Sequence, residues 1–221
     1  MKKQSVVILI GLLIYTACSK EEVIETSPLT RNEVQQELKN GTSVKALLDL
    51  GVHPDSLYGF EYQGGFIFYI NEADGSGMVV SKKNVGSYPD APAGRDLWTP
   101  VPHSELNVTA AVLGTGMSNT SKIVEAVGSD SYAAHSCFTL TAGGFDDWYL
   151  PSIDELGYLH QNMQKKGYSN IPSSSNTFSF WSSTEVDNQK VKALTIEDNG
   201  EPLIYDSFKS SAKFVRAVRN F

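Results

Sequence analysis

Apolar side chains recur along this chain at two spacings, and the change between them separates predicted helices from predicted strands. Across residues 31–57 the spacing is helical. Thr30 and Glu33 can satisfy two backbone amides as a capping box ahead of Val34, and Ser43 can cap a second short helix. Helices this short bury little apolar area alone, so we expect them to pack on the following domain. A stalk and a partner-binding element are the alternatives.

Beyond residue 58 the pattern predicts strands at both ends of a main domain and helices between them. Residues 64–70 (GGFIFYI) are rich in aromatic and β-branched side chains, and an Asp-Gly turn joins them to residues 78–80 as a hairpin. Helical spacing follows in residues 119–127, 133–138 and 152 to about 165. Strands return in residues 178–182, 191–196, 203–205 and 214–218, with an Asn-Gly turn at 199–200. This order indicates an α+β domain.

The run GGFDDWYLPSIDEL at residues 143–156 combines a turn, a short strand and the start of a helix. Its glycine pair permits backbone angles that other residues avoid. Asp146 and Asp147 are expected to fix the turn through hydrogen bonds from backbone amides, and the Trp-Tyr-Leu that follows predicts the strand. Ser152 and Glu155 then form a capping box at the start of the helix.

Five ordered segments give this chain a resemblance to one bacterial family. They are YQGGFIFY at 62–69, GTGMSNT at 114–120, DWYLPSIDEL at 147–156, WSSTE at 181–185 and VRAVR at 215–219. The family is typified by the C-terminal domain of a Legionella collagen-like protein, and the resemblance covers about residues 58 to 221. It implies a C-type-lectin-like fold that displays a ligand, with a mixed or antiparallel sheet and flanking helices. Fold analogy alone names no ligand.

By that resemblance the ligand face lies between Trp181 and Arg216, because C-type-lectin-like domains build it from late loops and strands. The candidate contacts in this region are Glu185, Asp187, Asn188, Lys190, Tyr205, Asp206 and Lys209. A plain solvated face is an equal alternative for each of them. Trp98, within the long loop of residues 82–106, is either a stacking platform or, more commonly for such a residue, part of the core.

No motif predicts a cofactor, a metal site or a catalytic site. The four histidines lack metal-ligand spacing, and neither a nucleophile elbow nor a P-loop occurs. The calcium ligands of sugar-binding C-type lectins are missing, since Glu201-Pro202 is followed by Leu203. We therefore expect no enzymatic activity, and an enzyme acting on an envelope polymer is the weakest alternative. Cys137 is interpreted as a small buried residue rather than a reactive thiol.

The first 30 residues predict secretion and lipid anchoring. Two lysines precede an apolar stretch too short to span a bilayer, so residues 1–17 are interpreted as a signal peptide. The run YTAC resembles a lipobox, which implies acylation of Cys18 and a tether over residues 18–30; an ordinary cleavage site is the alternative. The acidic residues that follow resemble the surface-export signal of Bacteroidetes lipoproteins. We expect a protein anchored in the outer membrane and facing the exterior, with a periplasm-facing orientation as the alternative.

The charge of the chain limits its partners. Its formal net charge is −7, and loss of the leader, with its two lysines and no acids, would leave −9. This argues against nucleic acid and anionic lipid headgroups. The sequence as a whole predicts a membrane-anchored protein in which a helical segment at 31–57 precedes a domain at 58–221 that binds a glycan or a protein. The alternative is an assembly component of a surface complex, docked through its N-terminal helices.

Overall fold

The computed structural model describes residues 29–87, 93–100, 104–164, 167, 179–197 and 200–221. Cys18, the predicted signal peptide and most of the predicted tether lie outside the described residues, and so does Asn199 of the predicted hairpin turn. Within the described ranges, no helix is both long and apolar enough to cross a bilayer.

The predicted helices are present, although two of them have different bounds. The α-helices of the described residues are α1 (Arg31–Asn40), α2 (Val44–Asp49), α3 (Gly116–Val127), α4 (Ala133–Phe138) and α5 (Ile153–Leu159). The α3 helix begins three residues before its predicted start at 119. A π-helical turn (His160–Gln164) replaces the predicted α-helical continuation of α5. Cys137, on α4, is buried as a free thiol, and burial raises the pKa of that thiol.

The two N-terminal helices pack on the main domain. Their apolar side chains belong to the same buried cluster as Trp148 and Trp181 and comprise Val34, Leu38, Val44 and Leu47. The guanidinium of Arg31 lies 4.1 Å from the centre of the Phe60 ring, which adds a cation–π contact between α1 and the domain. The predicted packing is confirmed, and the helices share the core of the domain.

Two sheets form the centre of the fold. Their strands are β1 (Glu61–Tyr62), β2 (Gly65–Ile70), β3 (Gly77–Val80), β4 (Arg95–Asp96), β5 (Ser179–Glu185), β6 (Lys190–Ile196), β7 (Pro202–Phe208), β8 (Lys213–Phe214) and β9 (Val218–Asn220). The first sheet has the order β1-β2-β3-β9 and the second has the order β4-β8-β5-β6-β7. All described pairings are antiparallel except that of β5 with β8, so the prediction of an α+β fold with mixed or antiparallel sheets is confirmed.

The last predicted strand, residues 214–218, is divided between the two sheets. Phe214 ends β8 in the second sheet, and Val218 begins β9 in the first. The three residues between them bond to loops instead of a strand, because the Val215 amide donates to the Gly94 carbonyl at 2.9 Å and the Ala217 carbonyl accepts from the Ser81 amide at 2.8 Å. The prediction of one continuous strand is therefore wrong, and these residues connect the sheets.

Helix α5 packs between the two sheets. Its residues Ile153, Leu156 and Leu159 share a buried cluster with Phe68 of β2 and Leu194 of β6. The Trp-Tyr-Leu run before α5 was predicted to be a strand, but it forms only a single bridge between Tyr149 and Val218. Large aromatic side chains there fill the core, so the apolar character of that run reflects burial and not a ladder.

Candidate functional site

The ladder between β6 and β7 places a group of charged and apolar side chains on one face of the second sheet. Its antiparallel register pairs Lys190 with Phe208, Lys192 with Asp206 and Leu194 with Ile204. Directly paired residues project from the same face of a sheet. We call the part of this face that α5 leaves uncovered the open sheet face. It comprises Lys190, Lys192, Ile204, Asp206 and Phe208.

Apolar area is exposed on the open sheet face beside charges. Ile204 and Phe208 are 47% and 54% exposed. The Lys190 ammonium lies 5.5 Å from the centre of the Phe208 ring, and Lys192 Nζ lies 2.5 Å from Asp206 Oδ1. An exposed ion pair of this kind contributes at most about 1 kcal/mol to stability. Its effect is to hold two long side chains beside an apolar strip.

Two predicted contacts, Asp187 and Asn188, lie in the turn between β5 and β6. The Asp187 carboxylate accepts hydrogen bonds from the backbone amides of Gln189 and Lys190, at 2.7 and 2.8 Å. The hydrogen bond from the Gln189 amide is the main cause of the lowered pKa of Asp187. This carboxylate therefore stabilises the turn, while Asn188 is exposed beside it. Ligand contact by either residue stays a prediction.

Tyr205 lies on the opposite side of β7 from the open sheet face. It pairs with Ala193, which is buried. Its hydroxyl lies 2.8 Å from Ser179 Oγ, and the Lys213 ammonium lies 5.3 Å from the centre of its ring. Tyr205 therefore joins the packed side of the sheet, whereas Lys190 and Asp206 belong to the open sheet face.

Three of the predicted ligand contacts are buried, which corrects the sequence-based prediction for them. Trp98, Glu185 and Lys209 are each at most 2% exposed. Lys209 Nζ lies 2.5 Å from Glu185 Oε1, 2.7 Å from the Ser104 carbonyl oxygen and 4.8 Å from the centre of the Trp98 ring. We call these three side chains, with the Ser104 carbonyl, the buried Lys209 cluster. A ligand on the surface cannot contact Trp98, Glu185 or Lys209, and the core alternative for Trp98 is confirmed.

The buried Lys209 cluster holds a long loop against the second sheet. The Glu185 carboxylate accepts hydrogen bonds from the amides of Leu106 and Val108, at 2.9 and 3.3 Å. The Trp98 indole donates to the Ser182 carbonyl at 2.9 Å. Glu185 of β5 therefore binds backbone amides of the loop, and Trp98 of the loop binds a backbone carbonyl of β5. The cluster attaches the loop to the sheet at these points and has a structural role.

Comparison with known proteins identifies the family. The model of the Lcl C-terminal domain matches residues 93–219 of this chain, which is more than half of its length. The chain belongs to this family. No curated protein matches the chain. A fimbrial protein from Bacteroides ovatus ATCC 8483 is similar in structure, with a TM-score of 0.44 and 15% identity, over 64% of this chain and 35% of that one.

Two of the segments shared with the Lcl C-terminal domain family meet at Glu155. Its carboxylate accepts from the amide of Ser152 at 2.9 Å, which completes the predicted capping box, and from the amide of Gly114 at 2.8 Å. A Cβ on Gly116 would lie 2.3 Å from the same carboxylate. Burial raises the pKa of Glu155 despite these amide donors. The motif thus fixes the loop before α3 onto the start of α5.

The segment that contains Glu155 is also joined to the last Lcl segment, by an ion pair between Asp147 and Arg219. The Arg219 guanidinium donates to both carboxylate oxygens of Asp147, at 2.5 and 3.0 Å, and to the Gln63 carbonyl at 3.1 Å. It also lies 3.8 Å from the centre of the Phe145 ring. The prediction that Asp146 and Asp147 bind backbone amides is wrong for Asp147, whose partner is a side chain from the end of the chain.

The pKa of Asp147 is lowered, mainly by its hydrogen bond from Arg219. A carboxylate with a lowered pKa in the folded state contributes stability above its unfolded pKa and loses it as the pH falls through the folded pKa. We expect Asp147→Asn to reduce the free energy of unfolding at pH 7 by about 1 kcal/mol, since the pair is partly exposed. We expect no difference from the wild type at a pH below both pKa values. Urea unfolding between pH 7 and that low pH measures the difference in the free energy of unfolding, and Asp146→Asn should follow the wild-type curve.

The described residues contain no group of three or more His, Cys, Asp or Glu side chains that could hold a metal ion. His103 lies outside the described residues, so the absence of a metal site and of catalysis stays a prediction. Sequence analysis missed Lys192, Ile204 and Phe208 as surface candidates. The strand predicted at 203–205 was too short to include Phe208, although the alternation of side chains up to Phe208 could have extended it.

Proposed function

We propose that this protein is a lipid-anchored cell-envelope protein whose Lcl C-terminal domain binds a glycan or protein ligand without catalysing a reaction. The observation that carries the proposal is the open sheet face, where exposed Ile204 and Phe208 lie beside the Lys192–Asp206 ion pair. Exposed apolar side chains grouped among charges are typical of recognition surfaces. Because each of the two apolar side chains is only about half exposed, its burial by a ligand would contribute about 1 kcal/mol, roughly half the value for a fully exposed side chain.

The lipid anchor rests on the sequence. A run that resembles a lipobox ends at Cys18 and follows a short apolar stretch. Several acyl chains on one residue give stable anchoring, whereas one chain is marginal. Labelling of cells with a palmitate analogue should mark the protein and should fail for Cys18→Ser. Persistent labelling of that variant would contradict the anchor, and digestion of intact cells by added protease would establish the outward orientation.

Binding is tested with residues 19–221 on glycan and matrix-protein arrays, with calcium and with chelator. We expect a saturable hit that weakens at least about tenfold in the double variant Ile204→Ser with Phe208→Ser. Leu50→Ser is the matched control, because Leu50 is 70% exposed at the end of α2, away from β7. A blank array under both conditions, or equal losses in both variants, would contradict the proposal.

A second candidate function is assembly of a surface complex. The β7 strand is at the edge of the second sheet and pairs only with β6 among the described strands. An edge strand presents backbone donors and acceptors that another chain can pair with. A stoichiometric complex isolated from envelope extracts, together with arrays that show no binding, would favour this function. Saturable array binding by a monomer would favour the first.

A further inference from the structure

Residues 81–85 form an arch over the side chain of Arg216. At its two ends, the Ser81 amide donates to the Ala217 carbonyl at 2.8 Å and the Val85 amide donates to the Val215 carbonyl at 2.9 Å. Between these hydrogen bonds lie three residues of the arch, Lys82, Lys83 and Asn84, but only one residue of the opposite segment. Lys82 and Lys83 are exposed, whereas the buried Arg216 contacts the arch through Asn84, because its Nη1 donates to Asn84 Oδ1 at 3.1 Å.

Arg216 is a buried cation without a counter-charge. It is 3% exposed, its Nε is buried without a hydrogen-bond acceptor, and no carboxylate of the described residues pairs with it. The other two buried Lys and Arg side chains of the described ranges are paired, Lys209 with Glu185 and Arg219 with Asp147. Burial alone lowers the pKa of Arg216 to about 10. A buried unpaired charge is costly to a folded protein, so an anion bound near Arg216 would lower this cost.

A groove of about 360 Å³ lies against the arch. The arch lines it with two lysines and Asn84, and a second chain segment lines it with Leu140 and Ala142, which are apolar. No acidic residue lines it. Lys82 is paired with Glu61, but Lys83 has no ion partner among the described residues. In a chain of net charge −7, this local excess of positive charge favours an anionic ligand.

Asn84 connects the buried Arg216 with the groove, because it accepts a hydrogen bond from Arg216 and also lines the groove. Its side-chain oxygen faces inward and accepts from Arg216, so its amide nitrogen remains as a donor. A donor amide beside the Lys83 ammonium matches the two oxygens of a carboxylate. The apolar side chains of Leu140 and Ala142 suit the carbon body of an organic acid. An inorganic ion has no such body and would leave these side chains uncovered. The groove has the volume of a small-molecule site.

We propose that this groove binds the carboxylate of a small organic acid, held by Lys83 and Asn84 and neutralised from beneath by Arg216. The site is separate from the open sheet face. The carboxylate could belong to an amino acid or to an acidic sugar, and the two sources differ in the body attached to it. Arg216 acts through Asn84 and is a positioning residue.

The probes are N-acetyl-leucine and glucuronate, each compared with its neutral counterpart, N-acetyl-leucinamide or glucose, and with inorganic sulfate. Calorimetric titration of the full chain should show saturable binding of one carboxylate and none of its neutral counterpart. Binding of N-acetyl-leucine would indicate an amino-acid or peptide terminus, and binding of glucuronate an acidic sugar. Failure of both carboxylates, or sulfate binding of equal strength, would overturn the proposal.

Variants separate binding from folding. Lys83→Gln should weaken carboxylate binding several-fold, and Arg216→Met at least about tenfold. Without ligand, Arg216→Met should raise the thermal midpoint, because it replaces an unpaired buried cation by an apolar side chain of similar length. Lys122→Gln, an exposed site on α3, is the control, and the Ile204→Ser with Phe208→Ser double variant should bind the carboxylate normally. A lowered midpoint for Arg216→Met with unchanged binding by Lys83→Gln would contradict the proposal.

Discussion

A Glu185→Ala variant should lose about 3 to 5 kcal/mol of its free energy of unfolding. The substitution leaves the Lys209 ammonium in the interior with only the Ser104 carbonyl and the Trp98 ring beside it. It also removes the acceptor of the Leu106 and Val108 amides. Both losses leave buried polar groups unsatisfied. Urea unfolding monitored by tryptophan fluorescence measures the change, because Trp98 lies in the affected cluster.

Two comparisons test this physical reason. The double variant Glu185→Leu with Lys209→Met should be more stable than Glu185→Ala, because it removes the uncompensated charge together with its partner. Asp206→Ala breaks the exposed ion pair with Lys192 on the same sheet and should cost at most about 1 kcal/mol. Equal losses of the free energy of unfolding in Glu185→Ala and Asp206→Ala would contradict this reason, because they would show that burial does not increase the contribution of the Lys209–Glu185 pair.

The sequence was informative where structure depends on neighbours along the chain. The capping boxes at Thr30 and Ser152 formed as predicted, since each needs only side chains three residues apart. The hairpin of β2 and β3 also formed, because an Asp-Gly turn determines it locally. The strand predicted at 214–218 failed for the opposite reason. Its division depends on hydrogen bonds to Gly94 and Ser81, which are distant in sequence.

The same limit explains the predicted contacts that proved to be buried. Polar and aromatic residues in late segments resemble surface residues in the sequence, but a charged residue can be internal when a distant partner neutralises it. Glu185 ends β5 and Lys209 follows the end of β7, whereas Trp98 comes from a loop that is distant from both in sequence. Arg216 is the converse case, since it belongs to a recognised motif and yet lacks the partner that Arg219 has. Arg216 is distinguished by its burial and by its lack of a carboxylate partner among the described residues, and neither property is visible in one sequence.

The Lcl segments in this chain therefore act mainly inside the molecule. Asp147 binds Arg219, and Glu155 binds the amides around Gly114, so the motifs connect parts of the chain to one another. The open sheet face lies on β6 and β7, largely outside those motifs. The glycine pair that precedes the 147–156 segment does reach a surface site, because Gly143 lines the groove beside the arch, together with Gly64.

A Gly143→Ala variant should be destabilised by about 4 kcal/mol or more, a size that point substitutions rarely reach. A Cβ at this position would lie 2.3 Å from the Gly64 Cα, and both atoms belong to turns that no side-chain rotation can separate. The residue also has a φ of +64°, which costs a non-glycine residue about 1 to 2 kcal/mol. Thermal and urea unfolding measure the loss.

Gly144→Ala isolates the part of this effect that comes from the close approach of the two turns. Gly144 has a φ of +86° but would place its Cβ more than 4 Å from other atoms, so it should cost only about 1 to 2 kcal/mol. Because Gly143 lines the groove and Gly144 does not, we also expect Gly143→Ala to lose carboxylate binding while Gly144→Ala retains it. Equal destabilisation by the two variants would mean that backbone angle, and not the contact with Gly64, makes this position require glycine.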